Sequence, residues 1–96
     1  MSKLRVWKRS YGQYASSNYG SHTQVVTVGS MAFYFSYDTV VAFENGLKTV
    51  CSENVWGTTT GKHLNWIQPD KKRRIPSEEF KIELRALLRQ HNLTFD

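Results

Sequence analysis

The chain has 96 residues, and its 13 lysines and arginines against 8 aspartates and glutamates give a formal net charge of +5 at pH 7. This length is enough for one domain and too short for two, so we expect a single domain over residues 1–96. Hydrophobic residues make up 40% of the chain and aromatic residues 14%, enough to fill one core, which argues against disorder.

The single cysteine and the hydropathy of the chain narrow its class further. Cys51 is the only cysteine, so an intramolecular disulfide and a multi-cysteine zinc site are excluded. It follows an apolar run, so we expect it to be buried, and the lack of a disulfide framework favours the cytoplasm. No stretch approaches the ~20 apolar residues of a membrane span, and no apolar run follows the charged first residues, so neither a membrane partner nor a signal peptide is expected.

Alternating or β-branched stretches in the first half of the chain predict about five strands, because such residues favour extended backbone. The predicted strands span residues 3–8, 22–28, 31–37, 39–43 and 47–51. Asn45-Gly46 is the strongest hairpin signal, since a type I′ turn needs positive φ at both central residues. Residues 10–21, rich in Tyr, Gly and Ser, predict a long loop.

The second half of the chain predicts helical structure at its C-terminal end. A short helical or irregular segment is expected near residues 58–67, followed by a charged loop. An amphipathic helix is predicted over residues 76–91, because Phe80, Leu84 and Leu87 recur at helical spacing, with Ser77 as its N-cap. Such a helix must bury its apolar stripe, so we expect a two-layer α+β domain in which it packs on the antiparallel sheet.

The segment from Gly57 to His63 invites comparison with a phosphate-binding loop. Three residues separate its glycines instead of four, and His63 stands where a Ser or Thr must hold magnesium. Nucleotide hydrolysis is therefore not predicted. Two readings stay open: an anion-binding turn built from backbone amides and threonine hydroxyls, and a plain turn whose threonines cap the next segment.

Two histidines lie beside polar turn residues. If the segments around His22 and His63 converge, two imidazoles and Lys62 would form a patch capable of acid–base chemistry. Structural hydrogen bonding by neutral histidines is the alternative. No closely spaced pair of histidine or carboxylate ligands appears, so we predict no metal site and no cofactor.

The lysines and arginines cluster in two parts of the chain, a pattern that favours nucleic-acid binding. Nine of the thirteen lysines and arginines lie in residues 1–9 and 62–74, and clustering of this kind is typical of electrostatic binding to nucleic acid. Tyr11, Tyr14 and Tyr19 are candidates for stacking on bases or for anchoring a protein interface. A solvated loop is the alternative. The candidate binding residues are Asn18, Tyr19, His22, Thr58, Thr59, Thr60, Lys62, His63, Asn65, Lys71, Lys72, Arg73 and Arg74.

Three segments resemble a family of small proteins carried by bacteriophages, prophages and related mobile elements. They are Tyr19-Gly20-Ser21-His22, residues 35–43 (FSYDTVVAF) and residues 53–65 (ENVWGTTTGKHLN). The resemblance runs over roughly residues 10–88. It implies a phage or prophage origin and action in the bacterial cytoplasm, and it supplies no catalytic residues.

We therefore expect a small phage-derived accessory protein that acts by stoichiometric binding to nucleic acid or a nucleoprotein complex. One alternative is an inhibitor that binds a host bacterial protein or defence system directly. Another is a small histidine-dependent hydrolase or nuclease using His22 and His63. The sequence does not specify an oligomeric state. It contains no paired-carboxylate or metal-ligand constellation, so we expect a binding protein rather than an enzyme.

Overall fold

The computed structural model describes residues 6–9, 11, 23–46 and 48–93. Within these residues five strands form one antiparallel sheet in which each strand pairs with the next along the chain. The strands are β1 (Val6–Arg9), β2 (Thr23–Val28), β3 (Met31–Ser36), β4 (Thr39–Asn45) and β5 (Lys48–Cys51). Two α-helices follow, α1 (Thr58–Ile67) and α2 (Ser77–Gln90), with a 3₁₀ turn between them at Lys71–Arg73. The expected α+β class is confirmed.

The turns of the sheet depend on positive φ at glycine. Gly29, in the β2–β3 turn, has a φ of 60°, and Gly46, in the β4–β5 turn, has a φ of 64°, both in the region that a side chain disfavours. The predicted hairpin is present, but Asn45 is the last residue of β4 and pairs with Lys48. Asn45 therefore belongs to the strand and not to the turn, Gly46 has the positive φ, and Leu47 lies outside the described residues.

The core is built on two neighbouring rows of residues that pair across the strands. One row lies on each face of the sheet, because successive residues of a strand point to opposite sides. One row consists of Val26, Phe33, Phe43 and Val50, which pack with Phe80 and Leu87 of α2. The other row consists of Val25, Tyr34, Ala42 and Cys51, and Leu64 of α1 packs on it. The two-layer expectation was therefore too simple, since a helix covers each face of the sheet.

A β-bulge in β4 enlarges the core beneath α1. Tyr34 pairs with Ala42, but Phe35 pairs with Val40, so Val41 is an extra residue in the ladder. The bulge places Val41 and Ala42, which are consecutive, in the same cluster with Leu64 of α1. This cluster thus gains an apolar side chain that regular alternation would send to the other face.

The start of α2 differs from the sequence prediction. Ser77 is not the N-cap; it is the first helical residue, and Pro76 takes the cap position without a side-chain hydrogen bond. The Ser77 N–H instead donates to Glu53 Oε2 at 2.8 Å. Glu53 is held nearby because its own N–H donates to the Ile75 carbonyl at 2.8 Å. The Glu53 carboxylate, from a distant segment, therefore accepts the hydrogen bond that an N-cap side chain would otherwise accept. No local sequence pattern predicts this contact.

The turn before α1 is organised by one asparagine. Asn54 Oδ1 accepts hydrogen bonds from the N–H groups of Trp56 and Gly57 at 3.0 and 3.3 Å, and Asn54 Nδ2 donates to the Gly57 carbonyl at 3.0 Å. A Cβ on Gly61 would lie 2.9 Å from Asn54 Nδ2. Close packing against Asn54 thus explains Gly61 without a bound phosphate.

We expect Gly61→Ala to lower the free energy of unfolding by about 1–2 kcal/mol. Displacing Asn54 breaks two or three hydrogen bonds worth roughly 1 kcal/mol each, and the helix propensity that alanine gains returns only about 1 kcal/mol. Urea denaturation measures this effect. In an Asn54→Ala background the same change should become stabilising, since the clash is gone. A destabilisation of equal size in both backgrounds would contradict the packing argument.

Burial keeps the thiol of Cys51 protonated. The side chain is 2% exposed, and this burial raises the pKa of Cys51 to about 11, against a smaller opposing effect of the Arg74 charge. We expect a thiol reagent at pH 8 to label the folded protein only as fast as it opens, and the urea-unfolded protein at once. The thiol favours folding below its unfolded pKa, and that contribution is lost as pH rises toward 11. Rapid labelling of the folded chain would contradict this account.

Candidate functional site

The inner side of α1 holds a buried polar network that joins the helix to the sheet. The Ser36 Oγ, at the end of β3, lies 2.8 Å from Thr60 Oγ1 and 2.7 Å from His63 Nδ1. Thr60 and His63 are three residues apart and so share one face of α1. The His63 side chain is fully buried, and Ser36 and Thr60 are 2% and 6% exposed. We call these three residues the Ser36 network.

Tyr11 packs against this network from the segment before β2. Its ring lies 6.2 Å from the His63 ring and 5.6 Å from the Trp66 ring, measured between centroids. Its hydroxyl donates to the Phe35 carbonyl at 2.8 Å, and its carbonyl accepts from Thr23 Oγ1 at 3.1 Å. Tyr11 is 3% exposed, so the expectation that it stacks on bases at the surface was wrong.

The amino-terminal end of α1 borders a small cavity of about 330 Å³. Its lining comprises Ser36, Tyr37, Thr39, Trp56, Gly57, Thr58, Thr59 and Thr60. Tyr37 has a φ of 58°, a conformation that costs energy for a residue with a side chain. The threonines are the first three residues of α1 itself, and Gly57 is the N-cap without a side-chain hydrogen bond. The threonines therefore do not cap α1, as one reading of the sequence had it. The anion-binding turn stays a prediction.

The outer side of α1 exposes an indole and a lysine. Trp66 is 48% exposed, and Lys62 precedes it by one helical turn on the same face. Asn65 Oδ1 accepts a hydrogen bond from Arg74 Nη2 at 2.9 Å. Arg74 also donates from Nε and Nη2 to the Gln68 carbonyl at 3.1 and 2.9 Å. The guanidinium is thus fixed against the C-terminal end of α1.

The 3₁₀ turn after α1 carries three further cations, Lys71, Lys72 and Arg73. Asp70 Oδ1 accepts the Lys72 N–H at 3.0 Å and its carboxylate lies 3.6 Å from the Arg73 Nε, so the turn is ordered by its own aspartate. Lys71 and Arg74 line a cavity of about 360 Å³ together with Glu53, Asn54, Gly61 and Asn65. We call Lys62, Trp66, Lys71, Lys72, Arg73 and Arg74 the basic face.

The candidate residues thus separate onto two sides of one helix. Thr60 and His63 point inward to Ser36, whereas Lys62 and Asn65 lie on the exposed side. Asn18, Tyr14, Tyr19 and His22 lie outside the described residues, so the convergence of His22 with His63 stays a prediction. His63 has no exposed surface, which counts against the hydrolase alternative, because a general base must reach its substrate.

The sequence analysis did not identify Ser36 or Trp66 as candidate site residues. The spacing of four between Lys62 and Trp66 was the available signal for an exposed aromatic beside a cation, once a helix is assumed. Nothing local marks Ser36, since its partners are 24 and 27 residues away. In the described part of the chain, no group of three or more His, Cys, Asp or Glu residues is placed to hold a metal ion.

These features define a small α+β domain in which one helix carries a buried polar network inside and a basic face outside. A family model matches residues 7–82 and is described as a family of unknown function, DUF8033. The match covers most of the chain, which therefore belongs to this family. No curated protein and no solved structure matches it. Among the described residues, no helix has the length and hydropathy needed to cross a membrane.

Proposed function

We propose that this protein is a phage-derived accessory protein that binds single-stranded nucleic acid stoichiometrically, free or in a nucleoprotein complex, through the basic face. The observation that carries the proposal is the exposed Trp66, with Lys62 one turn before it and the cationic 3₁₀ turn just after α1. Phage origin and action in the bacterial cytoplasm rest on the resemblance of residues 35–43 and 53–65 to the phage-borne family.

Trp66 has the properties of a base-stacking platform. Its indole is 48% exposed, and its ring is supported by Tyr11, whose hydroxyl is anchored to the Phe35 carbonyl. A supported ring loses little conformational entropy when a base stacks on it. Such stacking contributes roughly 1–3 kcal/mol per base and tolerates any sequence, because every base has a π face.

Arg74 and Lys71 supply the proposed phosphate subsite, which lies at Asn65, the residue before Trp66 in α1. Both line the cavity next to Asn65, and the Arg74 guanidinium is held by hydrogen bonds to Asn65 and Gln68. A fixed guanidinium presents its donors to phosphate with little ordering cost. Glu53, the carboxylate in the same cavity, is engaged with the Ser77 N–H. Two cations and one carboxylate line this cavity, so the subsite carries a net positive charge.

Fluorescence anisotropy with a labelled oligonucleotide of about 20 nucleotides tests the proposal. If Lys71, Lys72, Arg73 and Arg74 neutralise four phosphates, the logarithm of the association constant should fall with the logarithm of salt at a slope of about −2.8, or about 50-fold between 50 and 200 mM salt. No binding at 50 mM salt, or binding that ignores salt, would overturn the proposal.

Matched variants locate the binding surface. Trp66→Ala should weaken binding about 5- to 150-fold, the loss of one stacked base, whereas Trp56→Ala should leave it unchanged, because Trp56 is also exposed but lies off the basic face. Lys71→Gln with Lys72→Gln should reduce the salt slope by about 1.4. Equal losses for both tryptophan variants, with folding confirmed by circular dichroism, would remove Trp66 from the site.

A further inference from the structure

A groove along α2, on the face of the sheet that α2 covers, has a different chemical character. It encloses about 570 Å³ between α2 and the β3–β4 turn and is larger than either cavity beside α1. Its apolar lining consists of Phe35, Val40, Trp56, Phe80, Leu84 and Leu88. Four of these, Phe35, Val40, Leu84 and Leu88, are only partly buried by the core on which they pack. The groove therefore offers apolar surface that the fold does not cover fully.

The dimensions of the groove suit a stretch of polypeptide. Its lining follows α2 from Ser77 to Leu88, which at 1.5 Å per residue is about 16 Å. An extended chain rises about 3.3 Å per residue, so some five residues span this length. The volume of the groove also lies within the range of roughly 300–1,000 Å³ that is typical of ligand sites.

The rim of the groove is cationic along α2. Lys81 and Arg85, one helical turn apart, line it from the helix, and Asp38 is the acidic residue in its lining. Arg85 has no carboxylate within salt-bridge distance among the described residues, and Lys81 has an exposed contact of 3.6 Å with Glu78. An exposed pair of this kind is weak and easily exchanged for another carboxylate. The charge complementary to this wall is negative.

We propose that this groove binds an acidic, apolar peptide segment of a partner protein. Large side chains of about five extended residues would fill the apolar floor over Val40, Leu84 and Leu88, and an Asp or Glu of the peptide would pair with Arg85. The surface is separate from the basic face, so this inference does not depend on nucleic-acid binding. For the alternative function, direct binding to a host protein, the groove specifies where the partner would bind and which residues its peptide would contain.

A yeast-displayed library of random dodecapeptides, sorted against the labelled full chain, tests this proposal. We expect the enriched peptides to combine large apolar residues with Asp or Glu. The tightest one, synthesised and titrated, should bind at least 10-fold more weakly to a Lys81→Gln, Arg85→Gln variant. Arg89→Gln is the matched control, because Arg89 is an exposed cation of α2 that does not line the groove. Trp66→Ala should bind the peptide normally, which separates this site from the basic face.

Other occupants of the groove give distinct results. Enriched peptides without an acidic excess, or equal affinity for the Lys81→Gln, Arg85→Gln variant, would overturn the proposal. So would a concentration-dependent dimer that the same variant abolishes, since the groove would then belong to a second copy of the chain. Binding of dodecanoate at the groove without peptide enrichment would assign it to a small amphiphile and also overturn the proposal.

Discussion

His63→Ala is expected to lower the free energy of unfolding by about 2–4 kcal/mol, a large part of the stability of a domain this size. The imidazole is fully buried, so its removal leaves a cavity beside Tyr11 and Tyr37. The change also deletes the 2.7 Å contact with Ser36, which then keeps Thr60 as its partner. Urea denaturation followed by tryptophan fluorescence measures the loss.

Two further histidine variants separate packing from hydrogen bonding. His91→Ala is the matched control, because His91 is exposed just after α2, and its effect should stay within about 0.5 kcal/mol. His63→Asn keeps a polar atom near the position of Nδ1 and should recover part of the loss. If His63→Ala proves as harmless as His91→Ala, the Ser36 network does not hold α1 to the sheet.

The outcome also bears on the hydrolase alternative. A structural His63 predicts that every substitution which weakens the network lowers stability, whether or not any activity is present. A variant that keeps full stability but loses turnover of a labelled RNA or DNA would instead favour catalysis. The burial of His63 and its contact with Ser36 lead us to expect the first result.

Phe33→Ala is expected to cost about 3–5 kcal/mol of unfolding free energy, the range for deleting a fully buried aromatic side chain. Phe33 has no exposed surface, pairs with Phe43 across β3 and β4, and lies in the cluster that receives Phe80 of α2. Its loss opens a cavity at the centre of the contact between sheet and helix, where rigid strands limit collapse.

The control for Phe33 lies on α2. Ile82 is 64% exposed, so Ile82→Ala should change the unfolding free energy by less than about 0.5 kcal/mol. Thermal unfolding measured by circular dichroism should show a large drop in Tm for Phe33→Ala and almost none for Ile82→Ala. Similar shifts for the two variants would mean that α2 does not dock on this face of the sheet.

Much of the sheet and the apolar stripe of α2 follow from local patterns in the sequence. β-branched residues mark β2 and β4, aromatic residues mark β3, and a positive-φ glycine is required where Gly29 and Gly46 turn the chain. The stripe of Phe80, Leu84 and Leu87 fixes the face that α2 buries. These features are determined by residues close together in the chain, which is why the sequence predicts them.

The candidate site depended instead on contacts between distant residues. Residues 58–67 carry three threonines and a glycine, which favour no clear helix in isolation, and α1 forms where Leu64 and His63 are buried against the far face of the sheet. The cap that Glu53 provides for α2 is of the same kind, since 24 residues separate the partners.

The sequence by itself determined a small, basic, single-cysteine chain of the α+β class, with its cations clustered and its C-terminal helix amphipathic. Only the tertiary structure decided that α1 has two distinct sides, with Thr60 and His63 turned to Ser36 and with Lys62 and Trp66 turned outward. The physical reason is that the side chains of α1 become buried only where the helix meets the folded sheet. Which face of a weakly amphipathic helix is covered depends on the surface it meets, and local propensity does not specify that surface.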